Sequence, residues 1–292
     1  MQTNKVVNLV GIVGAGAMGS GIAQIASQAG LDVIMFDLSA DALTSSASKL
    51  QKVMNRLCEK DKFTSKEAID IQQRIERTTN IDRLKDCNLI IEAVVEDIEI
   101  KKNVFKRLEE VVSKEAIIAS NTSSLSITSL ASFCNHPNRV VGLHFFNPAP
   151  LMPLVEIIPA LQTNLELPKQ LSHLMRQWGK SPVIAKDTPG FIVNRVARPF
   201  YGEALRILDE GIADIKTIDA AMRESGFKMG PFQLTDLIGH DINYSVTESV
   251  FKSFYYDPRY MPSITQLKLV EAGWLGRKSG RGFYDYSDEN KQ

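Results

Sequence analysis

Residues 6–37 read VVNLVGIVGAGAMGSGIAQIASQAGLDVIMFD, and their reading decides the fold. VVNLVGIV (residues 6–13) is an apolar, β-branched run, the pattern of a strand covered on both faces of a parallel sheet. Gly14, Gly16 and Gly19 follow at once in Gly14-Ala15-Gly16-Ala17-Met18-Gly19. SGIAQIASQAG then offers small and apolar residues with Gly30 as a helix stop. LDVIMF (residues 31–36) reads as a second strand ending at Asp37. GxGxxG alone is a weak signal. Here it sits between a strand and a helix, with an acid roughly 20 residues past its last glycine, which is the context of a dinucleotide fingerprint. The first glycine permits the tight turn and the second lets a pyrophosphate approach the backbone. The third lets helix pack on strand, so that the helix N-terminus faces the phosphates. Asp37 suits a ribose 2′-hydroxyl and repels a 2′-phosphate. No arginine follows it, so NAD is expected over NADP.

The pattern continues outward from this unit. Residues 41–60 predict an amphipathic helix with Leu43, Ala47, Leu50, Met54 and Leu57 on one face and Lys49, Lys52, Arg56 and Lys60 on another. That basic stripe reads either as a solvated face or as a dock for a polyphosphate. Further strands are expected at 87–95, 116–120, 139–146 and 154–160, separated by helical or loop segments. Alternation of this kind argues a doubly wound α/β sheet. Ligands of such sheets sit at the carboxyl ends of strands. Asp37, Glu96, Asn121, Ser123 and His144 all fall at or near such ends.

Two residues in these runs carry chemistry. Glu156 interrupts Leu154-Val155-Glu156-Ile157-Ile158, and a carboxylate left alone in such a run is costly, so it needs a partner. His144 stands between apolar neighbours on the preceding expected strand, near enough in sequence for the two strands to turn and lie side by side. A carboxylate beside an imidazole fixes its tautomer and raises its basicity, which suits a general base near neutral pH. A core histidine satisfied by a core glutamate, with no chemistry, is the competing reading.

After Thr188-Pro189-Gly190 the strand signals stop. Helices are expected from the 190s to Gly211 with a kink at Pro199, at 214–224, over 231–255 with a break near Gly239-His240, and at 263–272. The chain therefore reads as a Rossmann-type doubly wound domain, residues 1–188, followed by an all-helical domain, residues 189–292. The glycine-rich WLGRKSGRGFYDY near the end reads as an ordered extended segment.

Composition narrows the function. Lys+Arg and Asp+Glu are both 34, a formal net charge of zero that removes the case for a nucleic-acid or anionic-membrane binder. No apolar run approaches a membrane span of roughly 18 residues, and the opening MQTNKVV has no signal pattern. Three cysteines without a CxxC and four histidines argue against disulfides and structural metal, so a cytoplasmic, metal-free protein is expected.

VGAGAMGSGIAQ, SNTSSLSIT, GLHFFNPAP, LVEIIP, DTPGFIVNR, MGPFQLTDLIG and AGWLGRKSGRGFYDY together resemble the L-3-hydroxyacyl-CoA dehydrogenases of the bacterial 3-hydroxybutyryl-CoA type. GFIVNRVARPFYGEA and TDLIGHDINYSVTESVFKSFY resemble most the 3-hydroxyadipyl-CoA branch. The resemblance implies an NAD domain, a helical C-terminal dimerisation domain giving a homodimer, an acyl-CoA substrate and an active site between the two domains. It makes His144 the catalytic base and Glu156 its partner. Ser123 and Asn194 become the contacts of the substrate oxygen. Gly14 to Gly19, Asp37, Glu96, Lys101, Ser123, Asn147 and Lys278 become cofactor contacts. It lays the CoA nucleotide on Lys52, Arg56 and Lys60. Arg198 departs from the aliphatic residue of short-chain relatives. It stands one turn beyond Asn194, where its guanidinium either pairs with the terminal carboxylate of a dicarboxylic acyl chain or merely meets a nearby acid or water. The alternatives are a CoA-independent β-hydroxyacid dehydrogenase, in which a lysine would be expected in place of His144, and a non-catalytic NAD-binding protein of the lens-crystallin kind.

Replacing Asp37 by Ala is expected to weaken NAD and to raise the NADP:NAD ratio of kcat/KM. Equal kcat/KM for the two cofactors in the unmodified protein would contradict the reading of Asp37.

Overall fold

A computed structural model describes residues 7–287, and the chain divides into two compact units, Met1–Thr188 and Pro189–Gln292. Val6, the first residue of the expected opening strand, lies outside the described residues.

The first unit is an eight-stranded sheet in the order β3-β2-β1-β4-β5-β6-β7-β8. The strands are β1 (Leu9–Val13), β2 (Asp32–Phe36), β3 (Ile75–Thr78), β4 (Leu89–Glu92), β5 (Ile117–Ser120), β6 (Val140–Phe145), β7 (Leu154–Pro159) and β8 (Ser181–Ile184). β1 pairs in parallel with both β2 and β4, and the parallel order runs on through β6. The sequence turns antiparallel only between β6 and β7, with Val141 opposite Pro159 and Phe145 opposite Val155. Helices α1 (Ala17–Gln28), α2 (Ala40–Glu59), α3 (Ser65–Gln73), α4 (Ile98–Val111), α5 (Ile127–Ala131) and α6 (Leu167–Gln177) connect the strands. On one face Ile22 and Ala26 of α1 and Leu50 and Met54 of α2 bury against Val10, Ile12, Val33 and Met35, because β-branched runs leave apolar side chains on both sides of the sheet.

Several elements carry no strong sequence pattern. β3 (IERT) and β8 (SPVI) are the two edge strands, half solvated, and a strand that buries little needs no apolar run. α3 begins at a capping box in which the Thr64 side chain accepts from Glu67 N while Glu67 reaches back to Thr64 N. The strand expected over 87–95 is shorter, ending at Glu92, and residues 93–95 form the loop that carries Glu96.

The second unit is helical, with α7 (Val193–Asp209), α8 (Ile215–Glu224), α9 (Pro231–Ile238), α10 (His240–Ser253) and α11 (Ile264–Glu271). Pro199 lies within α7, and Gly239, at φ 99°, breaks α9 from α10 where the sequence placed an interruption. Ala204, Leu205, Ile218 and Phe232 form an apolar centre. Two wholly buried acids organise the rest. Asp219 accepts from Phe232 N at 2.9 Å, Gln233 N at 3.0 Å and Tyr284 Oη at 2.7 Å. Asp236 accepts from His240 Nε2 at 2.6 Å, Phe283 N at 2.9 Å, Tyr284 N at 3.0 Å and Tyr286 Oη at 3.0 Å. A Cβ at Gly282 would stand 2.1 Å from Asp236 Oδ1, so the glycines of the tail are there to let its backbone reach this carboxylate.

Asp236→Ala is expected to lower unfolding stability by about 3 kcal/mol or more, the scale for losing one partner of a buried pair. Denaturant unfolding followed by fluorescence checks this, and a loss below about 1 kcal/mol, the worth of a single hydrogen bond, would contradict it.

Candidate active site

The site begins where β1 turns into α1. Gly14 adopts φ 108°, and a Cβ there would meet Ala93 O at 2.7 Å. A Cβ at Gly19 would lie 1.9 Å from Gly14 O, so only glycine lets α1 pack this close to the turn. At Gly16 a Cβ would meet nothing within 4 Å, so the space above the helix is open. No side chain caps α1 and its first turn holds no acid, which leaves its N–H groups and the positive end of the helix dipole for an anion. Asp37, at the end of β2, accepts from Ala15 N at 2.7 Å and Ser39 N at 2.9 Å and so ties its carboxylate to the turn. An open cradle, uncapped N–H groups and an acid beside them fit the pyrophosphate and ribose of a dinucleotide.

Past β4 lies a charged cluster. Glu92 is wholly buried, and its Oε1 accepts from Lys101 Nζ at 2.5 Å and Val94 N at 2.7 Å. Its Oε2 accepts from Ser120 Oγ at 2.7 Å. Lys101, 1% exposed on α4, also stands 3.5 Å from Glu96 Oε2. Glu96 Oε1 accepts from Thr122 Oγ1, from both N and Oγ of Ser123, and from Ser124. Burial pushes the Glu96 carboxyl up. The Lys101 ammonium and the donors of Thr122, Ser123 and Ser124 outweigh that and hold it below the usual carboxylate range. Expected cofactor contacts Glu96, Lys101 and Ser123 are thus linked by an ion pair and hydrogen bonds at the ends of β4 and β5.

β6 and β7 bring His144 and Glu156 face to face, because the antiparallel register pairs these two positions. Nδ1 of His144 lies 2.7 Å from Glu156 Oε2, with His144 5% and Glu156 0% exposed. A carboxylate accepts only, so Nδ1 carries the proton and Nε2 is the basic nitrogen. The ring packs against Phe146 at 4.4 Å between centroids. Asn121 Oδ1 accepts from Phe145 N at 2.8 Å, fastening the end of β6 to the loop that holds Ser123. Asn147 follows β6 at a cis bond to Pro148, exposed to solvent. Lys180, buried, donates to Ala149 O at 2.7 Å and Met152 O at 2.9 Å, and so holds the loop between the two strands.

The remaining expected residues lie apart from these clusters. Lys52, Arg56 and Lys60 are exposed along or just past α2, and none has a carboxylate in ion-pair range among the described residues. Asn194 is half-buried in the first turn of α7. Lys278 bonds both oxygens of Asp241, at 2.5 and 2.7 Å, so its charge is matched inside the second unit. Arg198, on α7, is 5% exposed and donates through Nη1 to Asn243 O on α10. Helix α10 covers it, which its spacing from Asn194 could not show.

Sequence reasoning missed Glu92 and Lys180. Glu92 carries the same signal that singled out Glu156, an acid inside the apolar run Leu89-Ile90-Ile91-Glu92. Lys180 lies at the start of a weak edge strand and had no such signal.

The family model for the NAD binding domain of 3-hydroxyacyl-CoA dehydrogenase matches residues 9–188, and the model for that family's C-terminal domain matches residues 190–286. The chain is 46% identical over 286 residues to a 3-hydroxyadipyl-CoA dehydrogenase of Escherichia coli, spanning 98% of this chain and 60% of that longer relative. It is 42% identical over 282 residues to a 3-hydroxybutyryl-CoA dehydrogenase of Bradyrhizobium diazoefficiens, with 96% of each covered. A crystal structure of (S)-3-hydroxybutyryl-CoA dehydrogenase from Ralstonia eutropha superposes with a TM-score of 0.92 at 41% identity, covering 97% of this chain and 100% of that one. Both units are matched in order and nearly throughout, so the chain belongs to the 3-hydroxyacyl-CoA dehydrogenase family and its first unit is an NAD-binding domain of that family.

Proposed function

We propose that this protein interconverts an L-3-hydroxyacyl-CoA and the corresponding 3-oxoacyl-CoA. The observation that carries the proposal is the His144–Glu156 pair, buried at facing positions of β6 and β7 with Nδ1 and Oε2 at 2.7 Å. NAD, when bound, supplies the acceptor for the hydride lost from C3. The Gly14–Gly19 turn and Asp37 hold the dinucleotide, with Glu96, Lys101, Ser123 and Asn147 as further contacts. Nε2 of His144 takes the proton of the 3-hydroxyl. Glu156 keeps the imidazole in the tautomer that presents Nε2 and stabilises the imidazolium as it forms, an orienting role known from catalytic triads. Ser123 and Asn194 donate to the substrate oxygen and place it. The basic stripe on α2 binds the phosphates of CoA.

This reading rests on the names of relatives at 37–46% identity, all CoA enzymes, and on the intact Ser123, His144, Glu156 and Asn194 set. They favour it over a CoA-independent dehydrogenase and over a non-catalytic NAD-binding protein. A homodimer is part of the proposal, supported by exposed Val196, Ile212, Tyr255 and Ile264 on the second unit. A cytoplasmic location is proposed too. Among the described residues no helix is long and apolar enough to cross a membrane, and no cluster of metal-binding side chains occurs.

His144→Gln should lower kcat with acetoacetyl-CoA and NADH by at least the 10²–10⁴-fold of a lost general base. Following absorbance of NADH checks this; a variant that keeps more than about a tenth of the activity, well short of that range, would remove His144 from the reaction.

Reversing charge at Lys52, Arg56 and Lys60 should raise KM for acyl-CoA with kcat nearly unchanged, the pattern of lost uniform binding. The effect should shrink as salt rises, because the side chains are exposed. An unchanged KM at low salt would make the stripe a solvated face only.

A further inference from the structure

The reaction gives no task to the buried acid at the end of β4. Glu92 is wholly buried, and Lys101, which reaches it from α4, is 1% exposed. A buried ion pair adds little to stability, and apolar side chains of similar volume would pack there as well or better. Its place in the fold points to another use. Glu92 stands beside Val13, the last residue of β1 before the Gly14 turn, and beside Ser120, the last residue of β5. The next residue, Ala93, is the floor under that turn, since a Cβ on Gly14 would meet Ala93 O at 2.7 Å. The nucleotide turn, the loop of Glu96 and the loop of Ser123 thus all leave the sheet around one carboxylate.

The contacts of Glu92 make a closed circuit. Its Oε1 accepts from Lys101 Nζ at 2.5 Å and from Val94 N at 2.7 Å, and its Oε2 accepts from Ser120 Oγ at 2.7 Å. Ser120 Oγ accepts in turn from Thr122 N at 3.2 Å, and Thr122 Oγ1 donates to Glu96 Oε1 at 2.6 Å. Lys101 Nζ, 3.5 Å from Glu96 Oε2, completes the circuit. The two oxygens of Glu96 differ. Oε1 takes the donors of Thr122, Ser123 and Ser124. Among the described residues Oε2 accepts no hydrogen bond and has only the ammonium near it, and the side chain is 36% exposed. Nζ therefore sits at bonding distance from Glu92 and beyond it from Glu96. A lysine ammonium is a point charge on a flexible stem, so its place between two carboxylates depends on the charge and distance of each.

We infer that Glu92 is a positioning residue of the cofactor site: it draws the Lys101 ammonium inward and leaves Glu96 Oε2 to accept from a hydroxyl of the bound dinucleotide. The inference rests on the reading of Glu96 as a cofactor contact. Without the inner charge, Nζ moves onto Glu96 Oε2 and takes the position of the ligand's donor. A Glu92 that only held Val94 and Ser120 in place would act whether or not Lys101 were present.

The test is a double-mutant cycle on the full-length protein, read as the Kd of NADH by fluorescence titration. The variants are Glu92→Gln, Lys101→Met, the two together, and Glu96→Gln. Glutamine keeps the shape of Glu92 and one acceptor oxygen but removes its charge. Glu92→Gln is expected to weaken NADH about 10-fold or more, the worth of a hydrogen bond to a charged group, and Glu96→Gln by a similar factor. Added to Lys101→Met, the same Glu92→Gln change is expected to alter Kd by less than about threefold, because no ammonium is left to move. Equal losses with and without Lys101 would overturn the inference, since Glu92 would then be structural only. An unchanged Kd in Glu92→Gln beside a weakened Glu96→Gln would overturn it too, while the Glu96 contact stands. An unchanged Kd in Glu96→Gln would remove that contact and the inference with it. If Glu92→Gln does not fold, Glu92→Asp replaces it in the cycle. Aspartate keeps the charge but is one methylene shorter, so a Lys101-dependent loss of roughly threefold is expected from a weakened rather than lost contact. No loss in Glu92→Asp would overturn the inference.

Discussion

The arrangement rests on one contact, the buried hydrogen bond between His144 and Glu156. Neither residue belongs in the middle of a sheet by itself. Glu156 has no exposure and His144 almost none, and removing either takes a buried hydrogen-bond partner from the other. The pair exists because the chain reverses between β6 and β7, the single antiparallel step of the sheet, in a register that sets the two positions opposite each other. A slip of one residue in β7 would turn Glu156 to the face away from His144. Much of the nearby structure acts on that register. Asn121 fastens the end of β6, and Lys180 ties down the loop between the strands. Fixed partners of this kind keep the imidazole in one tautomer, which is the preorganisation a general base needs.

A second set of buried charges supports the parallel half of the sheet. Glu92, Lys101 and Glu96 form a chain of acid, base and acid from the wholly buried end of β4 out to the loop of Ser123. The inner pair holds Lys101 in place, and Lys101 with the surrounding N–H and hydroxyl donors holds the Glu96 carboxyl below the usual carboxylate range. The second unit follows the same logic with Asp219 and Asp236, whose carboxylates gather backbone N–H groups and tyrosine hydroxyls and so fix the tail. Arg198 is the exception, a buried charge whose counterpart the described residues do not contain.

Much of this was legible in the sequence, for physical reasons that can be named. Central strands are covered on both faces and so appear as apolar runs, which made β1, β2, β5, β6 and β7 readable. The edge strands β3 and β8 bury little and left no such trace. The acid in the run around Glu156 pointed to a buried partner, and the short connection back to His144 named it. The same signal at Glu92 went unread, because its partner Lys101 lies on a helix and looks like one of many surface lysines. Arg198 shows the limit from the other side. Its place on α7 followed from spacing, but its burial depends on Asn243 and Thr247, residues of α10 far along the chain. Local pattern cannot reveal what packs over a helix from a distance.

The central claim is that the Glu156 carboxylate orients and stabilises a catalytic imidazole rather than merely filling the core. Turnover of Glu156→Gln, measured on protein shown to be folded, tests it most directly. An amide has nearly the same shape but cannot balance an imidazolium, so kcat should fall about 100-fold or more while KM for acyl-CoA changes little. A folded Gln variant whose kcat stays within about 3-fold of the unmodified protein, far short of that effect, would show that the pair is structural only.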